Sequence, residues 1–251
     1  MSKLAERIRK AGRTEQSPLG FARAARVPSA TLLTIVQVNA NESSKAAEAL
    51  EKGADAVILD GADSGKVKDA AKKAPAVLLG AVPKKAERDE IAALRDAGAD
   101  FIVLDPQSTP AAALLEEKIG LVATIDSESD DTTLRLYGEL ELDALIVAPP
   151  DEPLTVQRLL RLRRFAALTR TPLFTEAAAD SDASHLQALR DSGIVAVLVP
   201  ASALGKLNKL REVILSLPAR GGRKREEARD ALLPTQALAG SSDGYDDEDD
   251  D

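Results

Sequence analysis

The sequence runs to 251 residues, enough for one large domain with a buried core. It has no cysteine, which excludes disulfides, thiolate nucleophiles and thiolate metal sites. The formal charge of −8 is misleading, because seven acids lie between Ser241 and Asp251 and the rest carries only −1; with 2% aromatic residues to stack on bases, no nucleic-acid partner is expected.

Residues 2–12 read as a short basic amphipathic helix, and 13–30 as an irregular approach containing Ser17-Pro18-Leu19-Gly20-Phe21. The first residues lack the apolar stretch of a secretory signal, and no apolar run approaches the roughly 18 residues of a membrane span. A cytoplasmic location and no membrane partner are therefore expected. Strands are predicted near 31–38, 56–60, 76–81, 101–105, 121–125, 144–148, 173–176 and 195–199. Helices are predicted near 42–52, 64–73, 84–97, 110–118, 130–141, 153–169, 182–192 and 202–217. Beyond Pro218 the pattern stops. Residues 218–239 read as a basic linker with room for one short helix, and 240–251 as a disordered acidic tail.

A repeat organises this pattern. Ala49-Leu50-Glu51-Lys52-Gly53-Ala54-Asp55-Ala56-Val57-Ile58-Leu59-Asp60 is nearly copied at Ala93–Asp105 and again at Ala188–Pro200, with a weaker copy at Leu142–Pro149. Each copy reads as a helix end, a glycine cap and a short strand apolar on both faces, the mark of a parallel sheet covered by helices. Eight such strands at even spacing predict a closed (β/α)₈ TIM barrel over 31–217, with the helical extension of 1–30 outside it. An open doubly wound sheet is the rival arrangement.

The phrase Ala-Leu-x-x-(x)-Gly-Ala-Asp-x-Ile/Val-x-Leu-Asp, at 49–60 and 93–105, resembles the aldolase-type TIM barrels. That superfamily includes class I aldolases, ribulose-phosphate-binding isomerases and flavin-dependent oxidoreductases. The resemblance covers 31–217, is carried by packing residues and implies the fold. The lysine within a strand and the glycine-rich phosphate cradle of its members are missing here, so the resemblance leaves the activity open.

In such a barrel, chemistry sits at the C-terminal strand ends. Those positions hold Gln37 and Asn39, then Asp60 and Asp63, Lys84 or Lys85, Asp105, Asp126 and Glu176. Strands 6 and 8 end in Ala148-Pro149-Pro150 and Pro200-Ala201, which offer backbone groups only. Asp60, Asp105, Asp126 and Glu176 are the candidate catalytic residues. Converging carboxylates hold Mg²⁺ or Mn²⁺, or one of them serves as a base. The aspartates also suit turns and helix caps. Asn39 and Gln37 are candidate ligand contacts. His185, the sole histidine, stands in the first turn of a helix at the same rim. The arginines of 153–169 form a candidate docking face for an acidic partner.

Two functions remain open on these residues. One is a lyase or isomerase acting on a small, non-phosphorylated carbonyl or carboxylate metabolite, with or without the divalent metal just described. The other is a catalytically inactive barrel that binds a protein partner, self-associates or serves as a scaffold.

Overall fold

The computed structural model describes residues 2–12, 30–148 and 153–218. The acidic tail and most of the linker and the approach fall outside these residues. So do Pro149 and Pro150 of the predicted mouth.

Helix α1 (Lys3–Gly12) precedes strand β1 (Leu33–Asn39). Then come α2 (Ser44–Glu51), β2 (Ala56–Ala62), α3 (Ser64–Lys73), β3 (Leu78–Pro83), α4 (Arg88–Ala97) and β4 (Phe101–Leu104). The second half holds β5 (Gly120–Ile125), α5 (Asp131–Glu139), β6 (Ala144–Val147), α6 (Val156–Thr169), β7 (Leu173–Glu176), α7 (Ala183–Asp191), β8 (Ile194–Pro200) and α8 (Leu207–Ser216). Every neighbouring pair is parallel, and β8 returns to β1 with Leu33 opposite Ala196. The sheet is closed in the order β1 to β8, so the open-sheet rival is excluded. No helix among the described residues is long and apolar enough to cross a membrane.

The repeat explains how each strand is entered. Gly98 caps α4 at φ 110°, and Gly53 and Gly193 hold the same left-handed region at φ 87° and 106°. A side chain at such a φ is strained, so glycine ends the helix and turns the chain into the strand. The aspartate two residues after the first two of these glycines ties the new strand to the one before it. Asp55 donates its N–H to Thr34 and accepts the Thr34 N–H at 2.9 Å; Asp100 does the same with Leu79 at 3.0 Å.

Alternate residues fill two cores. One face of each strand meets the outer helices, as with Val57, Leu59, Ile102 and Leu104. The other face fills the barrel interior with Leu33, Ile35, Ile58, Phe101, Ile146 and Phe174. Phe101 dominates the interior, and its ring lies over Gly80. A methyl group at position 80 would run into that ring. Gly80→Ala should therefore cost about 1–3 kcal/mol of stability in chemical denaturation. A second change, Phe101→Leu, should return part of it.

Helix α1 closes the floor. Leu4 and Ile8 enter the interior core from below. Ser2 Oγ donates to Asp143 at 2.6 Å, Lys3 pairs with Asp100 at 2.7 Å, and Arg7 pairs with Asp55 at 2.6 Å. The three acids precede β2, β4 and β6, and are the same position of the repeat. In the fourth copy that position is Val195, which packs against the interior core.

Three predicted helices differ from those observed. The helix predicted from residue 84 begins at Arg88, because Glu87 is extended and Lys84–Ala86 form a loop beyond Pro83. The helix predicted at 110–118 is a 3₁₀ turn of five residues, Ala111–Leu115. Glu116 leaves it in extended geometry, held by Arg88 and Arg95 of α4. The last predicted helix divides into a 3₁₀ turn, Ala201–Lys206, and α8.

Candidate functional site

The pleat decides which side chains reach the mouth. Gln37 and Asn39 share the alternation of Leu33 and Ile35, Asp60 that of Ile58, and Glu176 that of Phe174. All four therefore belong to the interior face, at its upper rim. Asn39 lies directly opposite Asp60 in the β1–β2 register, with Gln37 one layer below, opposite Ile58 and Pro200. Glu176 lies opposite Leu198 on the far side of β8.

The four carboxylates divide into two kinds. Asp105 accepts the Gln107 N–H at 3.1 Å and the Ser108 hydroxyl at 2.7 Å. The Ser108 bond, then the Gln107 bond, hold its carboxyl below the usual carboxylate range. Asp126 accepts the Glu128 N–H at 2.9 Å. These two start turns, as short side chains do when they bond their own backbone. Asp60 and Glu176 are exposed and carry no such turn bond. Asn39 is also partly engaged, since its side chain accepts the Asn41 N–H at 3.0 Å and caps a short 3₁₀ turn.

Among the described residues, no three carboxylates or imidazoles stand close enough to hold a metal ion. The described residues of the mouth therefore form no ready-made Mg²⁺ or Mn²⁺ site.

A cavity of about 230 Å³ opens beside Asp105, between the ends of β3 and β4. Its wall includes Lys84, Lys85, Val103, Asp105, Ser108 and Thr109. Asp63, the cap of α3, is held below the usual carboxylate range by the Lys66 N–H it accepts, then by the Lys66 charge and the Gly65 N–H, and least by Lys84, which leans over Gly61. The sequence reading placed both lysines in a helix and did not single out Ser108 or Thr109. The signal was available: Pro106 and Pro110 bracket a loop too long and too rigid for a simple helix start.

The rim of β7 and β8 is arranged otherwise. Lys206 pairs with Asp180 at 2.8 Å, which lowers the Asp180 pKa. An acid and its own base occupy the loops where phosphate-binding barrels present bare backbone. His185 follows the cap Asp182, whose carboxylate accepts its N–H at 2.7 Å. Burial, then the Arg158 charge, push the His185 pKa below 6.5, against a weaker pull from Asp182. The unfolded chain thus binds the proton more readily. The stability contributed is present above pH 6.5 and is lost as pH falls towards the folded value. Melting followed below pH 6.5 should show a shallower loss in His185→Gln than in the parent.

Two of the α6 arginines are engaged by the neighbouring connection, while Arg163 is exposed. Arg161 pairs with Glu128 at 2.7 Å, Arg164 reaches Asp131 and the Ser129 carbonyl, and Arg158 is buried. Arg161 and Arg164 thereby fasten α6 to the β5–α5 loop and the start of α5.

No protein-family model and no curated protein matches the sequence. Solved structures do. A thiamine phosphate pyrophosphorylase from Pyrococcus furiosus superposes with TM-score 0.54 at 17% identity, over 73% of this chain and 95% of that one. Ligand-free tryptophan synthase of M. tuberculosis gives TM-score 0.60 at 14% identity, over 86% and 98%. The tryptophan synthase complex from Pyrococcus furiosus gives 0.58 at 16%, over 74% and 98%. The chain is a TIM barrel. At these identities the likeness concerns the fold alone.

Proposed function

We propose that this barrel binds a small, non-phosphorylated carboxylate or carbonyl metabolite at its mouth, and acts on it as a lyase or isomerase. The observation that carries the reading is the cavity between β3 and β4. It sets Lys84, Lys85, Ser108 and Thr109 with the carboxylates Glu87 and Asp105 around a space of about 230 Å³, which offers a compact polar metabolite both charges side by side. Lys84 and Lys85 offer charge to a carboxylate, while Thr109 offers a hydroxyl donor and Ser108, whose O–H goes to Asp105, an acceptor. Proton movement falls to Asp60 and Glu176, the carboxylates not committed to turns. Asn39, opposite Asp60, and Gln37 below it supply polar contacts. The solved neighbours named above as synthases and pyrophosphorylases are enzymes built on this fold, which supports the catalytic form by analogy only. The Lys206–Asp180 pair argues against a phosphorylated substrate, because Asp180 would repel it.

The test is thermal melting with a panel of 2-oxo acids, hydroxy acids and dicarboxylates. A ligand at a hundred times its Kd should stabilise the fold by about 2.7 kcal/mol. Lys84→Ala with Lys85→Ala should abolish that shift. For the bound compound, deuterium exchange at the carbon next to its carbonyl should depend on Asp60 and Glu176. The absence of any shift across the panel would sink the reading. Binding without exchange would leave the non-catalytic form.

A further inference from the structure

The β4–β5 crossover carries a five-residue 3₁₀ turn where its neighbours carry a full helix, and this opens a groove in the outer wall. Leu104 and Ala123 form its floor, Ala111 and Leu114 one wall, Tyr137 and Leu140 the other; its volume is about 280 Å³. Six large apolar side chains are exposed among the described residues, and four lie on the two segments that wall the groove, the 3₁₀ turn and α5 with its cap. Leu114 is 39% exposed, Leu115 64%, Leu136 63% and Leu140 41%. Clustered leucines in water favour association, since their hydration is removed when a second surface covers them.

We infer that this face pairs with a second copy of the chain. A small apolar molecule in the groove would leave Leu115 and Leu136 in water, because neither lines it. A two-fold interface needs one patch that complements itself. This patch has a protruding side chain, Leu115, next to a recess able to receive one. Its rim is complementary as well. Glu117 and Lys118 follow the 3₁₀ turn, Arg135 and Glu139 lie on α5, and all four are exposed without an ion pair to a described residue. Both signs on one rim let the acids of one copy meet the bases of the other. A uniformly acidic or basic partner finds no such match. The groove meets the mouth cavity at Thr109 and Pro110, which line both, so pairing is tested in the ligand-free chain.

Sedimentation velocity of the full chain over a rising concentration series tests this. A monomer–dimer equilibrium is expected. Leu115→Asp and Leu136→Asp should each weaken it at least about tenfold, while Leu160→Asp, on the exposed side of α6, should not. Melting of each variant checks that it folds, and Leu115→Ser replaces any variant that does not. A parent that stays monomeric at every concentration overturns the inference. So does a dimer that both aspartate variants leave intact, since it would form through another face.

Discussion

Phe101→Ala should cost about 3–5 kcal/mol, the range for emptying an aromatic site in a close-packed core. The side chain is fully buried and fills the interior at the level of Gly80 and Gly120. Neither glycine can fill the space left behind. A Cβ at Gly120 would stand 2.7 Å from the Asp143 carboxylate, so that side of the interior is already fixed by the floor. The cavity should therefore persist, and the loss should lie at the upper end of the range. Urea denaturation with an unchanged slope would give the value. A loss below about 1 kcal/mol would mean that the ring is not the centre of the interior packing.

The second large effect is expected at the floor. Arg7→Met removes the partner of Asp55, whose carboxylate is 5% exposed and keeps only the Thr34 N–H. A nearly buried charge without its counter-ion destabilises by roughly 3 kcal/mol. Asp55→Asn in the Arg7→Met background keeps an acceptor for Thr34 and removes the stranded charge, so it should recover most of the loss. The double change being as costly as the two single changes together would show that the pair is uncoupled. Met at position 7 retains the apolar stem, which separates charge from packing.

The strands were legible because each states its own environment. Val57-Ile58-Leu59 and Ile102-Val103-Leu104 are apolar on both faces, and a glycine introduces each copy, so period, cap and burial agree. The 110–118 segment was misread because Ala111–Leu115 has the composition of a helix. The arginine pull on Glu116 comes from α4, which is remote in the sequence. The aspartates were read from where the strands stop, and Asp60, Asp105 and Asp126 do stand at the ends of β2, β4 and β5. Which of them were free was not legible, since that depends on whether the next few residues fold back, as Gln107 and Ser108 do onto Asp105. Asp55, Asp100 and Asp143 were visible in the repeat and read as part of a packing phrase. Their partners sit on α1, and no local pattern reveals that a helix dozens of residues away crosses the bottom of the barrel.

That crossing sets an order of events during synthesis. Ser2 bonds to Asp143, a separation of 141 residues, and Leu4 packs against an interior to which β8 contributes Leu198. Until those residues have left the ribosome, the amphipathic α1 has nothing to cover. Long-range contacts are made late, because chain entropy is lost before they return anything. The residues of α1, made before the barrel, are thus among the last to dock. Through that interval Leu4 and Ile8 are open to other partners, including the same segment of a neighbouring nascent chain.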